Sequence, residues 1–198
     1  MSDIVCVTAR KLCRGDFFDQ LTKIAKASPK FIILREKDLS ENEYKKLAVT
    51  AMDICSEAGC ELILHYYWNA AVELGMKNIH LPLPLLRELS ADDKEKFTRI
   101  GTSCHSVSDA LEAKQLGADY ITAGHVFATD CKKGLAPRGL DFLRDVCYSV
   151  DIPVYAIGGI SPDNIASVRE CGAAGACAMS GFMQCSDPLA YIDEFNRK

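Results

Sequence analysis

Eight short apolar runs, most of them rich in β-branched residues, recur along this chain, and the segments between them carry helical patterning. The runs are Ile4–Thr8 (IVCVT), Lys30–Arg35 (KFIILR), Glu61–Tyr66 (ELILHY), Asn78–Pro82 (NIHLP), Arg99–Ser103 (RIGTS), Asp119–Gly124 (DYITAG), Pro153–Gly159 (PVYAIGG) and Gly175–Gly181 (GACAMSG). They are nearly continuous in apolar residues, the signature of parallel strands covered on both faces. In the helical segment after the second run, Ser40 precedes Glu43 by the spacing of a capping box. Two other helical segments end on Gly117 and Gly172, where a helix terminator is expected. Eight βα units in 198 residues predict an α/β fold, a single (β/α)8 TIM barrel occupying residues 1–198. A doubly wound open sheet is the rival arrangement. No internal linker, low-complexity tract or change of composition divides the chain.

Charge and cysteine usage narrow the setting. A net charge of −4 without a Lys/Arg block argues against nucleic acid or an anionic membrane as partner. The opening MSDIVCVTARKLCRGD is broken by Asp3 and Arg10 and does not read as a signal peptide, and no later run approaches the roughly 18 apolar residues of a membrane span. The ten cysteines are scattered, without a CxxC pair. They are expected to be reduced thiols of a cytoplasmic protein, with Cys131 the one whose polar surroundings suit reactivity.

In a barrel, the C-terminal ends of the strands share one mouth, and chemistry takes place there. That rule gives meaning to the stretch AGHVFATDCKKGLAPRG, Ala123–Gly139, where polar groups crowd directly after the sixth run. The same rule brings Arg35, Lys37, His65, Tyr66, Ser103 and His105 to that mouth. The seventh and eighth runs end in IGGISPDN and MSGF. Barrels commonly bind phosphate between these two loops, where glycines permit close backbone approach. Gly158, Gly159, Ser180 and Gly181 are the expected anion-binding residues.

The segments ILREK, IHLPL, IGTSCHS, GADYITAGHVFATDCKKG, IPVYAIGGISPDN and GAAGACAMSG together resemble the thiamine phosphate synthase superfamily over nearly the whole chain. Within it, GHVFATDCKKG is most similar to the thiazole tautomerase branch, the TenI type. The resemblance implies a barrel acting on a small thiazole phosphate, and barrels of this superfamily often associate, so a homo-oligomer is expected. A synthase of this superfamily uses Mg²⁺ held by an Asn-Asp pair after strand three and an Asp after strand four. Those positions here read His65, Tyr66 and Leu85, and Ile33 replaces the glutamine that opens the strand-two motif. Magnesium prefers carboxylate and phosphate oxygens, so the expectation is a barrel without a metal or other cofactor, with Mg required only if the synthase alternative holds.

On that reading the chain is an isomerase. It aromatises a carboxythiazole phosphate tautomer by proton transfer, with His125 as acid/base because imidazole titrates near neutral pH. Lys132 matches the synthase lysine that meets pyrophosphate, and Thr129 and Ser103 match its hydroxyl partners. Arg35, Lys37 or Lys132 would then hold the substrate carboxylate, with Arg35 favoured for its forked guanidinium. The alternatives are a thiamine phosphate synthase, which joins a pyrimidine pyrophosphate to a thiazole phosphate, and a non-catalytic phosphate-ligand regulator. Of the remaining histidines, His80 is read as a packed or hydrogen-bonded core residue, His105 as a helix cap or mouth residue, and His65 as a polar wall. Tyr66, Tyr67 and Trp68 are candidates to shape a ring pocket, with packing of the adjacent helix as the competing role.

Overall fold

The computed structural model describes residues 3–198. Eight parallel strands close on themselves: β1 Ile4–Val7, β2 Ile32–Leu34, β3 Leu62–His65, β4 Asn78–Pro82, β5 Arg99–Cys104, β6 Tyr120–Gly124, β7 Val154–Ile157 and β8 Gly175–Ala178. Closure is made by β1 against β8, with Ile4 beside Ala176 and Cys6 beside Ala178. The predicted TIM barrel is therefore the fold, and the open sheet is ruled out.

Helices cover the outside. They are α1 Phe17–Lys26, α2 Glu41–Glu57, α3 Trp68–Glu73, α4 Leu83–Glu88, α5 Ala91–Lys94, α6 Val107–Gln115, α7 Gly139–Ser149, α8 Ile165–Glu170, α9 Ser180–Gln184 and α10 Pro188–Asn196. Their starts follow capping chemistry. The Asp16 carboxylate accepts the backbone N–H groups of Phe18 and Asp19 at α1. At α2 the capping box is complete, with Ser40 N–H donating to Glu43 at 2.9 Å and Glu43 N–H to Ser40 Oγ at 3.4 Å. Gly117 and Gly172 take φ of +87° and +86° just past α6 and α8, a region that L side chains avoid.

Because side chains alternate across each strand, the barrel has two apolar regions. Outward residues such as Ile4, Ile32, Leu64, Ile79, Ile121 and Ala176 pack beneath the helices. Inward residues Val5, Val7, Phe31, Ile33, Ile63, Tyr120, Tyr155 and Cys177 fill the interior. Phe31, Tyr120 and Tyr155 meet edge to face, with ring centroids 5.4 to 5.8 Å apart. The Arg99 guanidinium lies over the Phe31 and Tyr120 rings and pairs with Glu61 at 2.9 Å. This floor leaves the opposite, C-terminal end of the barrel open to ligand.

Candidate active site

One cavity of about 430 Å³ opens at that end. It is lined by Arg35, Lys37, His65, His80, Ser103, His105, His125, Thr129, Cys131, Lys132, Gly158, Gly159 and Ser180, among others. With Val7 of β1 also on the wall, residues from all eight βα units thus converge as the barrel rule requires. A larger, more open groove of about 670 Å³, lined by residues of α1 and α10 and the loops before them, shares none of these groups. The mouth, which gathers the polar chemistry, is the candidate site.

The cationic wall comes from β2 and the loop after β6. Glu36, between Arg35 and Lys37, could in principle tie both into a structural ion-pair network, but its ion-pair partner is Arg10, at 3.8 Å. Glu36 is buried and turned away, accepting from Thr8 Oγ1 at 2.8 Å and from the Arg10 backbone N–H at 3.0 Å. Burial raises its pKa above the ordinary carboxylate value against those hydrogen bonds. Arg35, Lys37 and Lys132 have no carboxylate within ion-pair distance among the described residues. Burial pushes the Lys37 ammonium pKa down, and the charges of Arg35 and Lys132 push it further. Three cations facing one cavity without a carboxylate partner form a site that an anion would stabilise.

At the end of β7, beside the β6 loop, Gly158 and Gly159 have φ of +98° and +68°. A Cβ on Gly158 would overlap His125, and one on Gly159 would meet the backbone of Phe127 and Ala128. Their lack of side chains therefore serves the docking of the β6 loop as well as ligand approach. That docking is made by Val126 N–H to Ile157 O at 2.9 Å and Phe127 N–H to Gly158 O at 2.9 Å. Asn164 braces the same turn, donating to Gly159 O at 2.8 Å and accepting from Ser161 N–H at 3.0 Å. Ser180 lines the cavity, but Gly181 does not; Tyr191 packs where a Gly181 Cβ would lie, so its glycine is explained by helix packing.

His125 stands on the cavity wall with its Nε2 3.4 Å from Leu135 O. His105 does both things expected of it. Its backbone N–H donates to Asp109 at 2.7 Å near the start of α6, and its ring Nδ1 lies 2.7 Å from Gly124 O at the mouth. His65 and His80 stack with centroids 5.8 Å apart. Burial lowers the pKa of both, that of His80 to about 3. The aromatic run does not shape the cavity. Tyr66 is exposed, Tyr67 hydrogen-bonds Leu39 O, and Trp68 packs on the outer core.

Besides apolar wall residues, sequence reasoning missed four polar ones: Thr122, Asp109, Arg87, which pairs with Glu112, and the mouth-facing edge of His80. Alternation along β6 signals Thr122, since it lies two residues from the inward Tyr120 and two from Gly124. Gly101 signals His80, because a glycine inside a strand marks close approach. A Cβ at Gly101 would overlap the Tyr120 ring, whose hydroxyl lies 3.0 Å from His80 Nδ1.

Comparison with known proteins places this arrangement. The family model described as thiamine monophosphate synthase matches residues 4–182. The chain belongs to the thiamine monophosphate synthase family. Two curated relatives named thiamine-phosphate synthase are similar over almost their whole length. That of Syntrophomonas wolfei is 34% identical over 188 residues, covering 91% of this chain and 88% of the relative. That of Fusobacterium nucleatum is 32% identical over 190 residues, covering 93% and 90%. A solved thiamine phosphate pyrophosphorylase from Pyrococcus furiosus superposes with a TM-score of 0.82 at 27% identity, covering 98% of this chain and 93% of that one.

These relatives overturn the tautomerase expectation. Both curated relatives carry the synthase name, so the isomerase reading, and with it His125 as acid/base of an aromatisation, is withdrawn. The motif around His125 misled because it reports the sequence of one loop, whereas the family match spans residues 4–182. The magnesium that the synthase pattern implies does not fit the residues at this mouth. His65 is a buried neutral imidazole, Tyr66 does not line the cavity, and Leu85 packs against the outer core. Asp109 is the one carboxylate on the cavity wall, and it accepts the His105 backbone N–H. Among the described residues no three His, Cys, Asp or Glu side chains gather as a metal site. All ten cysteines are free thiols, and Cys131 is exposed. No helix among the described residues is long and apolar enough to cross a membrane.

Proposed function

We propose that this chain is a thiamine-phosphate synthase, joining a pyrimidine pyrophosphate to a thiazole phosphate with release of pyrophosphate. The observation that carries the reading is that one cavity gathers two kinds of anion-holding group. Arg35, Lys37 and Lys132 are cations without a carboxylate partner among the described residues, and the Gly158–Gly159 turn with Ser180 offers uncharged backbone and hydroxyl groups. Two phosphorylated substrates need two such groups. In the condensation, a carbon–nitrogen bond forms as the carbon–oxygen bond to pyrophosphate breaks, and negative charge grows on the leaving group. Cations held in place before the reaction stabilise that charge without reorganising. On this reading the three cations meet the pyrophosphate, with Ser103 and Thr129 as hydroxyl donors, and the glycine turn holds the thiazole phosphate. The carboxylate role once given to Arg35, Lys37 or Lys132 lapses with the tautomerase. No step is routed through magnesium.

Incubation of the protein with both substrates, followed by oxidation to fluorescent thiochrome, tests the reading. Product is expected, and Lys37→Ala should lower its rate tenfold or more, the loss seen when one transition-state donor is removed. Thiochrome at the level of the protein-free blank, with magnesium and with chelator alike, would overturn it.

A further inference from the structure

Inside the barrel a chain of hydrogen bonds runs from the floor to the mouth. The Tyr120 hydroxyl lies 3.0 Å from His80 Nδ1, His80 Nε2 lies 2.9 Å from Ser103 Oγ, and Thr122 Oγ1 donates to the same Ser103 Oγ at 3.2 Å. Tyr120 and His80 are both buried, at 2% exposure each. A buried phenol must place its proton on an acceptor, and among the described residues His80 Nδ1 is the one acceptor within reach of the Tyr120 O–H. His80 Nδ1 is then the bare nitrogen, and the ring proton sits on Nε2, where it donates to Ser103. A serine oxygen has two lone pairs and one proton. Here both lone pairs are taken, by His80 and by Thr122. What remains to Ser103 is its own O–H, and Ser103 lines the cavity.

We propose that Tyr120 and His80 are positioning residues that turn the Ser103 hydroxyl into an obligate donor aimed at an anion in the mouth. Without Tyr120 the His80 ring is free to carry its proton on Nδ1. Its Nε2 would then accept from Ser103 and draw the serine proton away from the cavity. The tyrosine selects the tautomer, the tautomer fixes the hydroxyl, and the hydroxyl meets the ligand. Gly101 belongs to the same device, since its missing side chain makes room for the Tyr120 ring. The proposal rests on the synthase reading only in requiring that an anionic group occupy this mouth.

The test is a double-mutant cycle on the binding of inorganic pyrophosphate, measured by calorimetry at pH 7.5 with wild type, Tyr120→Phe, Ser103→Ala and the double variant. A hydrogen bond to a charged partner predicts a loss of about tenfold or more in affinity for Ser103→Ala. Tyr120→Phe should lose about three- to tenfold by releasing the tautomer, and should lose nothing further once Ser103 is alanine. His80→Gln keeps an amide donor beside Ser103 and should retain most of the affinity. A merely structural role for Tyr120 would weaken binding equally in both serine backgrounds, and that result overturns the proposal. So does an unchanged affinity in Tyr120→Phe, or failure of the wild type to bind pyrophosphate. Thiochrome formation is scored separately. Its absence beside intact coupling between Tyr120 and Ser103 would remove the synthase reading and leave the relay standing.

Discussion

His80 makes the stability of this barrel depend on pH in a way that can be calculated. Burial holds its imidazole neutral, with the pKa lowered from 6.5 to about 3. The unfolded chain binds a proton to this residue as pH falls below about 6.5, and the folded chain does not until about 3. The unfolded state therefore binds more protons across that window, so stability is fully present above pH 6.5 and is lost as the pH falls towards 3. Going from pH 7 to pH 4.5, two of the roughly 3.5 pKa units are exposed, and the loss from this residue is about 2.5 kcal/mol. Urea unfolding at both pH values, in wild type and in His80→Gln, isolates the contribution. The variant gives up a ring that hydrogen-bonds at both ends, so it should be the less stable protein at pH 7. Its loss between pH 7 and 4.5 should nevertheless be smaller than that of wild type by about 2.5 kcal/mol. Exposed carboxylates titrate in both proteins and cancel in the difference, and making both proteins in a His65→Gln background removes the stacked neighbour, whose own pKa His80 helps to lower. Equal losses in the two proteins would refute the picture of an uncharged His80 between Tyr120 and Ser103.

Two further substitutions probe the packing that builds the mouth. Gly101→Ala places a methyl group in the Tyr120 ring and should cost about 1–3 kcal/mol by overpacking, read as a drop in the thermal midpoint. Gly159→Ala forces a side chain onto a φ of +68° against the backbone of Ala128; it should weaken thiazole phosphate binding more than pyrophosphate binding, as measured by calorimetry with each ligand.

The fold was legible because the alternation of apolar runs and helical segments is a local property repeated eight times. Strand centres agree throughout, and Asn78–Pro82 agrees to the residue. Most other runs outlast the ladder: Lys30–Arg35 contains only Ile32–Leu34 as strand, since Lys30, Phe31 and Arg35 lie beyond the paired register, whereas β5 continues one residue past its run, to Cys104. The mouth residues were legible for the same reason, as they follow strand ends. Gly181 and the Tyr66–Trp68 run were misplaced because their roles depend on which helix packs beside them, and one residue's neighbours in sequence do not contain that information. The reaction was misjudged for a different reason. Replacing the synthase Asn-Asp pair by His65 and Tyr66 says that the side chains at these positions suit magnesium poorly, and leaves open which anions Arg35, Lys37 and Lys132 receive.

The stretch between β6 and α7 is fastened at both of its roots, Val126 and Phe127 to β7 and its turn, and Arg138 and Gly139 back onto His125 and Val126. Its crest, with Cys131, Lys132 and Lys133, stands out in solvent. A segment anchored in this manner can exchange the residues of its crest while its two feet, and the glycine turn they brace, keep their positions. Chemistry at one side of the vessel is thereby free to diversify over generations without loosening the grip at the other.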